Sequence, residues 1–157
     1  MLFKLPTMYK DDCIFCKVAK GEIPSFKIRE NNEFLAILDI FPNTEGMTLA
    51  IPKNHYDSYI FDMPDDVYTR FLLFAKETGK ELDAKLGTER TALVMEGMGV
   101  NHSHIKLYPL HGIGKEFKAI TPEGNIFFKK YEGYITTKLG PKAETEQLLK
   151  VKRLFEI

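Results

Sequence analysis

The chain has 157 residues, 44% of them hydrophobic, with 22 Lys plus Arg against 22 Asp plus Glu and a formal net charge of zero. That length suits one domain with a sizeable core, and the balanced charge argues against a basic nucleic-acid coat or an acidic tail. No apolar run approaches the ~20 residues that span a bilayer, and two cysteines are too few for a disulfide scaffold, so the expectation is a soluble, cytoplasmic protein without membrane or nucleic-acid-polymer partners.

Residues 1–12 read as a lead-in. Residues 13–20 (CIFCKVAK) suit a short helix stopped by Gly21 and Pro24. Three strand-like runs follow: 26–30 (FKIRE), 34–40 (FLAILDI) after the Asn31-Asn32 turn, and 47–51 (MTLAI) after the cluster PNTEG. The second and third are apolar enough to be buried on both faces. Pro64, Asp65 and Asp66 mark the first turn of a long helix, since proline is tolerated there and carboxylates suit the positive end of the dipole. Val67, Phe71, Phe74, Ala75, Thr78, Leu82 and Leu86 repeat at helical spacing, and Gly87 fits the stop. Residues 91–95 (TALVM) predict another strand, 97–99 a glycine turn, and 102–108 a strand ended by Pro109. The signal is weak over 111–142, and 144–155 predict a terminal helix. Strands, helix, strands, helix argue for a single α+β domain: a mostly antiparallel sheet, one long central helix and a C-terminal helix.

Most chemistry sits in His102-Ser103-His104-Ile105-Lys106-Leu107-Tyr108-Pro109. Alternate residues of a strand share a face, so His102, His104, Lys106 and Tyr108 point one way, roughly 6.5–7 Å apart in steps of two. Two imidazoles and an ammonium in a row suit a phosphate: histidine attacks phosphorus, and lysine neutralises spreading charge. The same pattern also arises on an ordinary polar sheet face, and H-x-H spacing occurs in metal sites. Cys13 and Cys16 are open to three readings: a redox pair, inert buried thiols, or half a zinc site completed by distant residues. A redox pair normally follows a buried strand, which Tyr9-Lys10-Asp11-Asp12 does not resemble.

The histidine segment resembles the signature H-φ-H-φ-H-φ-φ of the histidine triad (HIT) family, and four further blocks agree in order: CIFCK with GEIP, LAILDI, LAIPKNH and LVMEG. Together they span residues 13–109. The resemblance implies a HIT-like domain over 13–110, with 111–157 an extension of the same domain, and a two-fold homodimer. It implies that His104 attacks the α-phosphorus of a nucleoside phosphoramidate, dinucleoside polyphosphate or related nucleotide, forming a nucleotidyl-histidine that water releases. His102 and Lys106 would serve beside it. Asp39 takes the ribose-binding position, and Ile40 would pack on the base; a carboxylate accepts two sugar hydroxyls, although an acid at a strand end is also ordinary. Gly97, Gly99 and Asn101 lie in the phosphate-side turn. In some members the C-x-x-C joins two histidines around structural zinc, here Cys13, Cys16, His55 and His102. The chain departs from the pattern in carrying Lys106 at the third triad position and Met95 where asparagine is common. Two other functions stay open: a zinc hydroxide held by His55, His102 and His104, and a nucleotide-binding protein without turnover.

Overall fold

The computed structural model describes residues 8–136, 141–144 and 146. Five strands form one antiparallel sheet in the order β1 (Lys27–Glu30), β2 (Phe34–Leu38), β3 (Thr48–Pro52), β5 (Ile105–Pro109), β4 (Thr91–Val94). Two helices accompany it, the seven-residue α1 (Ile14–Lys20) and the 22-residue α2 (Asp65–Leu86). These elements bear out the α+β expectation with a long central helix. The helix expected over 144–155 lies almost wholly outside the described residues. The chain divides into two compact units, Met1–Glu116 and Phe117–Ile157, and every element named here belongs to the first.

The sheet is covered on both faces, which is why β2 and β3 are continuously apolar rather than alternating. Phe34, Ala36, Ala50, Ile105 and Leu107 pack with Phe71, Phe74, Ala75 and Leu82 of α2. The intervening residues Leu35, Ile37, Leu49 and Ile51 pack with Phe15, Cys16 and Val18 of α1. Register carries this division across the sheet: Ile37 stands opposite Leu49, and Leu49 opposite Lys106. Lys106 therefore projects on the α1 face.

Both helices end where glycine permits a left-handed residue. Gly21 (φ 79°) sends its N–H to the Val18 carbonyl while Glu22 N–H reaches the Lys17 carbonyl, and Gly87 (φ 66°) closes α2. The α2 stripe is buried as its spacing predicts, with Val67 and Leu86 at its margins. Thr78 is tolerated inside because its hydroxyl donates to the Phe74 carbonyl at 2.8 Å.

One boundary differs in a way that matters. The strand expected from His102 begins only at Ile105. His102 N–H bonds the Val100 carbonyl, Ser103 N–H bonds the Tyr56 carbonyl, and the Ser103 hydroxyl donates to the Asp57 carbonyl. These bonds replace ladder pairing, so both histidines lie in a fixed approach to the strand rather than within it.

Candidate functional site

Cys13 immediately precedes α1 and Cys16 lies on its inward side, so the C-x-x-C spacing turns both thiols toward the sheet. His55 follows β3, and His102 precedes β5. The four side chains are buried, and their donor atoms lie within 4.8 Å of one another. Cys13 Sγ is 3.3 Å from His102 Nδ1; Cys16 Sγ is 3.3 Å from His55 Nδ1 and 3.6 Å from His102 Nδ1. Zinc bonds of the usual length to sulfur and nitrogen, held tetrahedrally, put those atoms about 3.6 Å apart. The spacing suits a zinc site.

The outer contacts fit it too. His102 Nε2–H donates to the Pro52 carbonyl at 2.9 Å, and His55 Nε2–H donates to Asp57 Oδ1 at 3.0 Å. Each ring thereby presents its Nδ1 lone pair to the thiols, the tautomer a ligand needs. Burial pushes His102 down to about 4, which keeps the imidazole neutral, and burial pushes the Cys16 thiol up in the absence of a metal. Lys10, ahead of His55, holds Asp57 below the usual carboxylate range, so it stays an acceptor. A Cys2His2 set fills all four tetrahedral positions, and His104 lies outside it. The donor set is of the structural type, and a zinc hydroxide on His55, His102 and His104 does not match it.

His104 is joined to this cluster through one residue. Its Nδ1–H donates to the main-chain carbonyl of His102 at 2.7 Å, leaving Nε2 with the lone pair. The residue is 5% exposed. Phe15 of α1 meets both imidazoles edge-on, His102 at 5.8 Å and His104 at 5.6 Å between ring centres. Phe15→Ala is expected to lower denaturant stability by about 3–5 kcal/mol, the usual cost of emptying a buried phenyl site. The check is urea unfolding of the zinc-loaded protein, and a loss under about 1 kcal/mol contradicts this packing role.

The other expected site residues fall in three places. Asp39, half-buried just beyond β2, accepts the Phe41 N–H at 2.8 Å, and Ile40 beside it is 69% exposed. Asp39 follows Leu35 and Ile37 in steps of two, the α1-side alternation whose register leads through Leu49 to Lys106. Gly97 (φ 70°) is required by packing: a Cβ there would stand 2.7 Å from the Ser58 carbonyl oxygen. Gly99 (φ 87°) opens onto free space. Asn101 has its amide engaged, accepting Ser58 N–H at 2.9 Å and donating to Asp57 at 3.2 Å, beside the metal cluster.

Sequence reasoning missed Asp57, Phe15 and Glu96. Met95 packs toward the α2 side, and it is Glu96 whose carboxylate meets the Lys106 ammonium. A lone acid two residues past β4, in step with Ala92 and Val94, was the available signal.

The HIT domain profile matches residues 20–117. The chain belongs to the HIT domain family. The match begins after the two cysteines, so the thiol half of the metal cluster precedes the matched HIT residues. An uncharacterized HIT-like protein of Methanocaldococcus jannaschii is 40% identical over 102 residues, covering 62% of this chain and 78% of that one. An adenosine 5'-monophosphoramidase of Saccharomyces cerevisiae is 41% identical over 103 residues, 62% of this chain and 61% of the yeast protein. Among solved structures, a zinc-bound histidine triad family protein from Mycobacterium smegmatis superposes with a TM-score of 0.61 at 27% identity, covering 68% of this chain and 81% of its own. Among the described residues, no helix of this HIT chain is long and apolar enough to cross a membrane.

Proposed function

We propose that this protein cleaves nucleotides at the α-phosphorus through a covalent nucleotidyl-His104, acting on nucleoside phosphoramidates, dinucleoside polyphosphates or related nucleotides. The observation that carries the reading is the His104 Nδ1–H bond to the His102 carbonyl, which in the neutral ring leaves Nε2 as the nucleophile. Nε2 attacks phosphorus, the leaving group departs, and water then cleaves the P–Nε2 bond to release a mononucleotide. Lys106 balances charge on the phosphate oxygens. Asp39 accepts ribose hydroxyls, Ile40 packs on the base, and backbone N–H groups around Gly97 and Gly99 face phosphate, with Asn101 bracing that turn.

The name of the yeast relative supports a nucleoside phosphoramidate among the substrates. Zinc on Cys13, Cys16, His55 and His102 would supply a structural tie, and the chain would stand in a zinc-containing small branch of the family with lysine at the third triad position. The reading extends to a cytoplasmic homodimer; the exposure of Leu93 on the edge strand β4 supports pairing.

The test is covalent trapping. The protein is mixed with adenosine and guanosine phosphoramidates and dinucleoside polyphosphates, quenched within milliseconds, and weighed intact. An acid-labile nucleotidyl adduct on His104 with mononucleotide product is the expected result. Thermal stabilisation by nucleotides with no adduct and no product would instead favour a binding protein.

A further inference from the structure

Lys106 and Glu96 form an ion pair whose carboxylate side chain is only 8% exposed. Oε1 takes the ammonium; Oε2 is buried and has no hydrogen-bond partner among the described residues. Buried carboxylate oxygens are ordinarily satisfied, and one left open among the described residues is placed to accept from a water.

The sheet register indicates which face Glu96 takes. β4 pairs β5 with Ala92 opposite Tyr108 and Val94 opposite Lys106. Carried two residues beyond the ladder, the same register brings Glu96 across from His104. Alternate residues share a face, so Glu96 lies on the face that carries Lys106. His104 meets Phe15 on this same α1 side. The unpartnered acceptor and His104 thus fall on one face of the sheet.

We propose that Glu96 is a catalytic residue of the hydrolytic half-reaction, its free Oε2 accepting the proton of the water that attacks nucleotidyl-His104. The inference rests on the covalent reading above. In this step the water oxygen bonds to the α-phosphorus and the P–Nε2 bond breaks, its electron pair returning to Nε2. The water proton passes to Oε2 and from there to solvent. Lys106, held by Oε1, offsets the repulsion between the carboxylate and the phosphate, which lets an acid group serve beside an anionic centre.

The experiment uses an adenosine 5'-phosphoramidate with a chromophoric amine, following amine release by rapid quench and the adduct by intact mass. Glu96→Gln should release one amine per site at close to the wild-type burst rate, then turn over on the order of 10²-fold more slowly or worse, the scale of general base catalysis. The adenylyl adduct should accumulate on His104. The double variant Glu96→Gln/Lys106→Met, which leaves no unpaired charge in the fold, should form the adduct more slowly for want of the Lys106 ammonium and still accumulate it. A burst and steady state slowed in proportion, or neither changed, overturns the proposal and leaves Glu96 a mere prop for Lys106. His104→Ala separates the two levels. If that variant turns over like the wild type, the covalent reading fails; if it is inactive while Glu96→Gln gathers no adduct, only the role of Glu96 falls.

Discussion

Loading the metal-free protein with zinc is expected to raise its thermal midpoint by about 10 °C. The estimate follows from linkage: at a thousandfold excess over the dissociation constant, a ligand bound only by the native state adds about 4 kcal/mol, and a domain of this size shifts by roughly 2–4 °C per kcal/mol. The structural reason lies in what the four ligands join. Cys13 and Cys16 belong to α1, His55 follows β3, and His102 precedes β5, so one ion ties a seven-residue helix to two segments of the sheet. A helix that short has little stability of its own. It covers the sheet with Phe15, Cys16 and Val18, and the metal adds a link that does not depend on those contacts. Cys16→Ser should abolish stoichiometric zinc uptake and with it the shift in midpoint. Equal midpoints for loaded and stripped protein, measured by calorimetry alongside metal analysis, contradict this account.

Replacing the proposed nucleophile has the largest expected effect on rate. His104→Ala should lower turnover of a nucleoside phosphoramidate on the order of 10⁴–10⁶-fold, as removal of a covalent nucleophile does elsewhere. Because His104 stands outside the metal cluster and, among the described residues, hydrogen-bonds the backbone of His102, the variant should keep its zinc and stay folded. His102→Ala should behave differently. It removes a ligand and leaves the Pro52 carbonyl without its donor, so metal content, stability and activity should fall together. Matched losses of metal and activity in His104→Ala would show that the two imidazoles are not divided in this way.

Local physics made part of the fold readable and hid the rest. The α2 stripe was legible because Phe71, Phe74, Thr78 and Leu82 repeat at helical spacing between an acidic first turn and Gly87. β2 and β3 were legible as unbroken apolar runs, the mark of strands covered on both sides. The start of β5 was not, because the bonds that draw Ser103 out of the ladder end on Tyr56 and Asp57, some 46 residues away. The face of Lys106 was nonetheless right, since pleat alternation within the strand survives a shift of its start. The cysteine half of the metal site was open to reading from its spacing, and the histidine half came only through resemblance; nothing in the spacing of Cys16 and His102, 86 residues apart, requires them to meet. Asp57 was hidden for the same reason in miniature. An acid two residues after a histidine looks like any loop residue until both Lys10 and His55 converge on it.

Attack by His104 depends on which of its nitrogens carries the proton, and that is directly measurable. Nitrogen-15 NMR of imidazole-labelled, zinc-loaded protein at neutral pH should show His104 as a neutral ring with the proton on Nδ1 and a bare Nε2. A proton resident on Nε2, with Nδ1 as the acceptor, would leave no nucleophile facing phosphorus and would contradict it.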